Sequence, residues 1–404
     1  MKQIINHFTD NDLYTFTCMY YILQKYPRAE TEYRFFDRNR TCYPKGFDLL
    51  LREQLEHLAE VFITDEEREF MTRSFPFLPY WFINVFLRGF RFNPAELTIS
   101  QDEEGHLDIR VKGKWWSTII WEMPILATIS ELMHTLNGDT MKYDAEAEWE
   151  KSLQKGRQIW TNGLTLGDMG TRRRFTFDHQ ERVIDALIQS YAEVCKETGG
   201  HCGKFTGTSN VYFAMKKNIP CLGTMSHQCI SFEEIVSGVF ECNYNVMNKW
   251  SEVYDGNVGI FLYDCFGDRV FFNNLSKRMA MTFCGLRIDS GVEEEQVDMI
   301  VEKYKQLGID PMSKQAVFSN GLDIKRAVEI HRYCQGKITD SYGVGTFLTC
   351  DVTDCSPMNI VVKLVRGRIT ESREWHPCVK LSCDKGKTLG DAKKCEYLVS
   401  VLNE

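Results

Sequence analysis

From about residue 200 the sequence repeats one pattern, in which a short apolar run ends in a polar or glycine-containing cluster and a helical period follows. The clusters recur in steps of 18, 37, 25, 31 and 23 residues, measured between Ser209, His227, Asp264, Asp289, Asn320 and Gly343. Each step has about the length of one strand and one helix, which is the spacing of βα units in a parallel sheet. Runs such as GIFLYD and KQAVFSNG are apolar almost throughout, as strands buried on both faces should be.

The number of these clusters bears on the architecture. Six polar clusters at the carboxyl ends of successive strands favour a (β/α) barrel, in which the loops at those ends build the active site. A doubly wound sheet would instead concentrate its site at the point where the strand order reverses. We therefore predict an α/β fold, an irregular (β/α) barrel of parallel strands with a second, smaller α+β domain.

The first part of the chain and its end follow other patterns. The segment LTISQDEEGHLDIRVKGKWW predicts a hairpin around its DEEGH turn, and Pro124 begins a predicted helix over residues 123–136. Near the end, VVKLVRGRI alternates like a strand and is expected to return to the smaller domain. We predict that the barrel domain comprises residues 1–32 and 116–350, and the smaller α+β domain residues 33–115 and 351–404.

The composition excludes some classes of function. A net charge of −8 argues against a general nucleic-acid binder. The opening MKQIINHFTDNDLY has no apolar core of signal-peptide length, and Glu122, Pro124 and Glu131 interrupt the most apolar internal stretch. We therefore predict a cytoplasmic protein with no membrane segment and no nucleic-acid partner.

The cysteines are numerous but scattered. There are fifteen, with no CxxC pair and no zinc-finger spacing, so we expect buried, reduced thiols. The five-residue step from Cys350 to Cys355 is repeated from Cys378 to Cys383, which leaves a zinc knuckle as the alternative.

A glycine-rich turn, GVGT, spans residues 343–346. Glycines let backbone N–H groups approach a phosphate, and Thr346 adds a hydroxyl donor; a plain tight turn is the alternative explanation. The turn is not a dinucleotide fingerprint, because Leu348 stands where a third glycine is required. GKT at 386–388 likewise fails as a P-loop, because Leu381 occupies the position of its first glycine.

Charged side chains near the strand ends suggest anion binding. Arg172 opens an arginine triplet that is either a solvated face or a clamp for carboxylate or phosphate. Arg287 and Asp289 are two residues apart at a strand end and therefore point to the same side of the sheet. They are either a contact to a sugar phosphate or a structural ion pair. His227 is either a core histidine or a nucleophile that Asp264 orients through one ring nitrogen.

Ordered motifs make the chain resemble the nicotinate phosphoribosyltransferases. FTDNDLYTFTCMYY resembles the opening motif of that family, with Asp12 and Tyr14 on its matching positions. Further motifs follow in the expected order along nearly the whole chain: MGTRRRFTFD, GTSNVYFAMKKNIPCLGTMSHQ, GLRIDSG, FSNGLDIKRAVEIHR, SYGVGTFLTCD and VKLSCDKGKTLGD.

The resemblance implies a reaction and a set of residues. Nicotinate and phosphoribosyl pyrophosphate would give nicotinate mononucleotide and pyrophosphate in NAD salvage, with ATP hydrolysis coupled through a phosphohistidine as in an ATP-dependent ligase, and with Mg²⁺ as cofactor. The predicted catalytic residues are His227, which is also the phosphorylated residue, Asp264 and Asp289. The predicted substrate-binding residues are Tyr14, Arg172, Ser209 and Arg287. The predicted phosphate-binding residues are Asn320, Gly321, Gly343, Gly345 and Thr346. No residue is assigned as a metal ligand. In relatives Tyr14 would reach the pyridine ring across a dimer interface, which makes a homodimer a possible assembly.

Three positions bear on the substrate and on the coupling. Nicotinamide-using relatives carry an aspartate at Ser209, where a carboxylate would repel nicotinate, so Ser209 favours the acid over the amide. Met169 replaces an aromatic residue that relatives stack on the pyridine, and Gln228 replaces a glutamate that often follows the phosphohistidine. The alternatives are a nicotinamide- or quinolinate-using transferase of the same fold, a catalytically retired barrel, and a zinc-dependent hydrolase. The last lacks a histidine cluster at ligand spacing.

Overall fold

Two sheets organise the chain in a computed structural model that describes residues 2–382, 384, 388 and 390–403. The strands are β1 Glu30–Asp37, β2 Leu97–Gln101, β3 Leu107–Lys114, β4 Thr165–Asp168, β5 Lys204–Thr208, β6 Ile260–Leu262, β7 Gly285–Ile288, β8 Gln315–Phe318, β9 Thr339–Val344, β10 Ile360–Arg368 and β11 His376–Pro377. Cys383, of the proposed zinc knuckle, and residues 386 and 387 of the GKT segment lie outside the described residues.

Helices connect these strands and cover the sheets. They are α1 Leu13–Lys25, α2 Phe47–Glu56, α3 Asp65–Ser74, α4 Trp115–Thr118, α5 Glu122–Leu136, α6 Ala145–Thr161, α7 Phe177–Glu197, α8 Val211–Lys217, α9 His227–Ser237, α10 Cys242–Tyr254, α11 Asp268–Asn274, α12 Lys277–Thr282, α13 Glu293–Gln306, α14 Ile324–Cys334, α15 Thr346–Thr349 and α16 Ala392–Asn403. Short 3-10 segments lie at His57–Glu60, Pro94–Glu96, Ile119–Trp121, Asp139–Met141, Thr171–Arg173 and Pro311–Ser313, and a π-helical segment at Phe82–Leu87.

The antiparallel sheet has the order β11-β10-β1-β3-β2. β2 and β3 pair from Leu97 opposite Val111 to Gln101 opposite Leu107, which confirms the predicted hairpin. β10 pairs with β1 over its whole length, from Arg368 opposite Glu30 to Ile360 opposite Asp37. The end of the chain therefore returns to the sheet formed by its first part, as the alternation of VVKLVRGRI predicted.

The parallel sheet has the order β5-β4-β9-β8-β7-β6. Five of the six predicted clusters lie in or directly after its strands, but the prediction of a strand before GTMSH is wrong. Only an isolated parallel bridge from Cys221 to Thr208 precedes that cluster, because Gly223 turns the chain away two residues later. β4, which the spacing did not predict, stands between β5 and β9 instead.

The two sheets make this a mixed α/β structure with separate parallel and antiparallel layers. Within the described strands the parallel sheet is open, with β5 at one end and β6 at the other, so hydrogen bonding does not close it into a ring. None of the helices among the described residues has the length and apolar character that crossing a membrane requires. The expectation of reduced thiols is wrong for Cys195 and Cys202, which are disulfide-bonded across the turn after α7.

Candidate active site

A cavity of about 360 Å³ lies where the carboxyl ends of the parallel strands meet the antiparallel sheet. Its lining includes almost the whole predicted set: Tyr14, Arg172, Ser209, His227, Arg287, Asp289, Asn320, Gly321, Gly343, Gly345 and Thr346. Asp264 is the exception, because it is buried directly behind His227. The topology thus brings together residues that are more than 300 positions apart in sequence.

His227 is the first residue of α9, and a buried carboxylate, Asp264, binds its imidazole on the side away from the cavity. Nε2 lies 2.7 Å from Asp264 Oδ1, and Asp264 Oδ2 accepts a hydrogen bond from the Ser290 hydroxyl at 2.7 Å. With Nε2–H donating to Asp264, the Nδ1 lone pair is available, since no hydrogen bond joins Nδ1 to the described residues. The side chain is 12% exposed, so a reactant in the cavity can reach it.

A lysine that the sequence analysis did not single out completes this group. Lys380 Nζ lies 2.9 Å from His227 Nε2 and 3.0 Å from Asp264 Oδ2. Burial and the neighbouring Lys380 charge lower the pKa of His227 to about 4, although Asp264 opposes the shift. His227 is therefore neutral near pH 7, which is the form that can act as a nucleophile.

Asp289 faces the cavity beside His227, with 3.9 Å between its Oδ2 and Nε2 of the imidazole. The Arg287 Nε donates to the Ser319 hydroxyl at 2.8 Å, and that hydroxyl donates to Asp289 Oδ1 at 2.9 Å. Burial would raise the pKa of Asp289, but Arg287 and Lys380 outweigh it and hold the pKa below its ordinary value. Asp289 is thus a charged carboxylate directed at the centre of the cavity.

Opposite Asp289, an acidic and a basic group meet at the start of α5. The Tyr14 hydroxyl donates to Glu122 Oε2 at 2.7 Å, and Arg172 lies 3.5 Å from Glu122 Oε1. Tyr14 belongs to the same chain as the cavity that it lines, so the site does not need a second chain to supply it.

Two predicted donors are already engaged by carboxylates. The Ser209 hydroxyl, which was expected to donate to nicotinate, donates to Asp12 Oδ1 at 2.8 Å. The Asn320 amide, expected to bind phosphate, donates to Asp384 Oδ2 at 3.4 Å. The Ser209 hydroxyl has a single proton and must exchange its partner before it can donate to an anion, whereas the Asn320 amide carries a second N–H.

The glycine turn and the arginine motif are built against each other. Met169 N–H donates to Val344 O at 2.8 Å, and a Cβ at Gly343 would lie only 2.2 Å from Met169 Sδ. The Thr349 hydroxyl donates to Gly170 O at 2.9 Å, which fixes the end of α15 to the same motif. A side chain at position 343 would therefore displace the thioether of Met169, the residue that replaces an aromatic one in the family motif.

The cavity also holds cations beyond those predicted. Arg38 and Lys363 come from the antiparallel sheet, and Arg173 from the arginine triplet. Burial lowers the pKa of Lys363 to about 8 and that of Arg173 to about 10, with Arg172 adding to the second shift. The Arg38 Nε has no hydrogen-bond partner among the described residues. Lysine in an otherwise apolar strand-like run, as in VVKLV and CVKLS, is the signal that could have identified Lys363 and Lys380.

Known proteins share this fold and these motifs. The model of the nicotinate phosphoribosyltransferase family matches residues 164–404, and that of its N-terminal domain matches residues 9–130. The chain is 37% identical to the nicotinate phosphoribosyltransferase of Desulforapulum autotrophicum, over 99% of both chains. It also superimposes on the crystal structure of the nicotinate phosphoribosyltransferase from Porphyromonas gingivalis, with a TM-score of 0.94, 39% identity and coverage of 99% and 100% of the two chains. For the corresponding Vibrio cholerae structure the TM-score is 0.88 at 27% identity, over 99% of this chain and 94% of that one.

Proposed function

The chain belongs to the nicotinate phosphoribosyltransferase family, and from this membership we propose that it transfers a phosphoribosyl group from phosphoribosyl pyrophosphate to nicotinate. The reaction makes nicotinate mononucleotide for NAD salvage and releases pyrophosphate. The observation that carries the proposal is one cavity that contains the glycine turn, the carboxylate Asp289 and the cationic side chains of Arg38, Arg173 and Lys363.

The transfer forms a bond from the pyridine nitrogen to the sugar C1 and breaks the bond from C1 to pyrophosphate. Positive charge develops on the sugar and negative charge on the leaving group. Asp289, which Arg287 and Lys380 hold in its charged form, is suited to stabilise the positive charge on the sugar. The negative charge on the leaving group can be stabilised by Arg38, Arg173 and Lys363. Arg172, partly neutralised by Glu122, lies where it can receive the carboxylate of nicotinate next to Tyr14.

ATP coupling is the second part of the proposal. Nδ1 of His227 would attack the γ-phosphorus of ATP, so that an N–P bond forms, the bond to the bridging oxygen breaks and ADP leaves. Asp264 holds the imidazole through Nε2 and stabilises the positive charge that develops on the ring. Lys380 lies beside Nε2, on the side of the imidazole away from Nδ1, so its proposed role is to keep the ring unprotonated for the attack.

Mg²⁺ fits one part of the cavity. A hard cation prefers carboxylate and phosphate oxygens, and Asp289 is a charged carboxylate that reaches the cavity. Asp264 fits less well, because His227, Ser290 and Lys380 already surround its oxygens. Asp289 would hold Mg²⁺, which would supply neutralisation of the pyrophosphate leaving group.

The proposal also covers the closure of the parallel sheet and the oligomeric state. We propose that the parallel strands close into an irregular barrel, since the bridge from Cys221 to Thr208 adds a further parallel pair at the end strand β5. The two-domain division, the cytoplasmic location and the homodimer stay predictions. Tyr14 gives no reason to require the homodimer, because it lines the cavity of its own chain.

Incubation with γ-labelled ATP, followed by mapping of an acid-labile label, tests the coupling. We expect the label on His227 and its loss in His227→Ala; label at another residue would contradict the assignment.

Nicotinamide is a second candidate substrate, because Asp12 already places a carboxylate 2.8 Å from the Ser209 hydroxyl. Pyrophosphate release with nicotinate, nicotinamide and quinolinate decides the base. We expect release with nicotinate, and release with nicotinamide alone would replace the first proposal by the second.

A further inference from the structure

A second cluster of potential ligands lies outside the active-site cavity, beside the segment that follows the glycine turn. It contains His134 from the last turn of α5, Asp139 from the 3-10 segment after it, and Cys355 from the loop after α15. One ligand atom from each of these three residues lies within 4.8 Å of the other two. None of the three takes part in the chemistry proposed above.

The imidazole of His134 is fixed on both of its nitrogens. Nδ1 lies 2.8 Å from Asp139 Oδ2, and Nε2 lies 3.5 Å from the sulfur of Cys350. The ring also packs on Phe175, with 4.8 Å between the ring centroids. His134 is 3% exposed, so its orientation is set by these contacts rather than by solvent.

The loop 350–355 turns back on itself to bring Cys355 to this histidine. Cys355 N–H donates to Val352 O at 3.0 Å, and Asp354 adopts φ 61°, a left-handed conformation that is uncommon for residues other than glycine. The carboxylate of Asp139 keeps 20% of its surface exposed and Cys355 is half-buried, so an ion from solvent can reach the three donors.

We propose that His134, Asp139 and Cys355 bind a divalent cation of the zinc class. Imidazole nitrogen, carboxylate oxygen and thiolate sulfur are the ligands that zinc takes, in tetrahedral sets with ligand bonds of about 2.0–2.3 Å. On binding, the S–H bond of Cys355 breaks, sulfur bonds to the ion, and the proton leaves to solvent. The proton on His134 Nδ1 moves to Nε2, from which it is donated to the Cys350 sulfur.

This assignment balances charge and orients the histidine. One thiolate and one carboxylate neutralise the two positive charges of the ion. Cys350 would then accept from the second ring nitrogen, which is the kind of contact that fixes a ligating imidazole in metal sites. The fourth position would be open to solvent, since both Asp139 and Cys355 are partly exposed.

The position of the cluster gives the ion a structural role near the active site. Cys350 N–H donates to Thr346 O, and Phe175 N–H donates to Thr349 O. An ion that joins α5 to the loop 350–355 would therefore hold the glycine turn and the arginine motif in one arrangement.

Metal binding by the purified full-length chain tests the proposal directly. We expect one Zn²⁺ per chain after dialysis, and a thiolate-to-metal charge-transfer band when Co²⁺ replaces Zn²⁺. A cation at His227, Asp264 and Asp289, the other group of suitable spacing among the described residues, has no sulfur ligand and cannot give this band. Cys355→Ser should abolish the band, and Asp139→Asn should weaken Zn²⁺ binding by at least about 10-fold, the loss that removal of an outer-shell partner alone can cause.

Cys42→Ser is the matched control, because Cys42 is an exposed free thiol in the smaller, antiparallel part of the structure. It should keep the band and the affinity of the wild type. Wild-type protein also tests the site if a variant fails to fold, since bound Zn²⁺ should protect Cys355 from alkylation as mapped by mass spectrometry. A wild-type chain without the band, a band that survives in Cys355→Ser, or a Cys350–Cys355 disulfide in the purified protein would overturn the proposal.

Discussion

Replacement of Lys380 by methionine should change the pH range in which His227 accepts phosphate. The ammonium of Lys380 lies 2.9 Å from the imidazole Nε2; Lys380 is buried, and the His227 side chain is 12% exposed. The pKa of His227 is lowered to about 4 by burial first and by Lys380 second, while Asp264 raises it. Methionine keeps about the length and the apolar stem of the side chain, and removes the charge together with the hydrogen bond to Asp264.

The size of the effect follows from these opposing causes. Burial persists in Lys380→Met, so the pKa of His227 should not return fully to its ordinary value of about 6.5. Removal of an adjacent cation leaves the attraction of Asp264 unopposed, and we expect the pKa to rise by about one to two units, or roughly 1.4–2.7 kcal/mol of protonation free energy. At pH 5.5 the neutral fraction would then fall from roughly 97% to between about 75% and 25%.

Rapid-quench measurement of histidine phosphorylation between pH 5 and 8 gives the midpoint of the acid limb. The wild-type rate should be nearly level over this range, and the Lys380→Met rate should fall as the pH drops below about 6. A loss of packing alone would lower the rate equally at every pH. Lys380→Arg keeps the charge and should keep the wild-type profile. An acid limb that does not move in Lys380→Met would refute the electrostatic role assigned to this lysine.

Three further substitutions test other parts of the structure. Ser209→Asp should lose at least about tenfold in nicotinate turnover, because it places a second buried carboxylate against Asp12, whereas Ser209→Ala should keep most of it; wild-type rates in Ser209→Asp would contradict this. His227→Ala should lose the stimulation by ATP and retain a slow, uncoupled transfer, as measured by pyrophosphate release with and without ATP. For His179, burial lowers the pKa to about 4, so the unfolded chain binds more protons between pH 6.5 and pH 4 and stability falls as the pH drops through that window. The free energy of unfolding of the wild type should therefore fall between pH 7 and pH 4.5 by about 2 kcal/mol more than that of His179→Gln, as measured by urea titration. An equal fall in the two proteins would show that His179 does not cause the pH dependence.

Much of the parallel sheet could be predicted because the sequence pattern of each strand lies within a short segment of the chain. An apolar run followed by a polar or glycine cluster needs no distant partner to be recognised, and β5, β6, β7, β8 and β9 all end in this way. The same pattern placed His227, Asp289 and the glycine turn around one site, and the cavity contains all of them. β4 was missed because its residues, TLGD, include one large apolar side chain, whereas β6, β7 and β8 have two or three.

Contacts between distant parts of the chain could not be predicted. Lys380 reaches His227 across 153 positions, and Ser209 reaches Asp12 across 197. No spacing rule connects such pairs, because they depend on where the segment after β11 and the start of α1 pack against the strand ends. The second case changed a functional argument, since Ser209 was expected to be free to donate to the substrate and is held by Asp12 instead.

The cations around His227 meet two requirements that appear opposed. A cavity for phosphates needs positive charge, and Lys363 and Arg173 retain it although burial lowers the pKa of each. A nucleophilic histidine must be neutral. The charge of Lys380 lowers the pKa of His227 and therefore helps to keep the imidazole neutral. Anions that fill the cavity cancel part of this field, so saturating pyrophosphate should raise the pKa of His227, as Lys380→Met does. Because the potentials of separate charges superpose, the two shifts of the acid limb of phosphorylation should add, whereas an ion pair between pyrophosphate and Lys380 would make them less than additive.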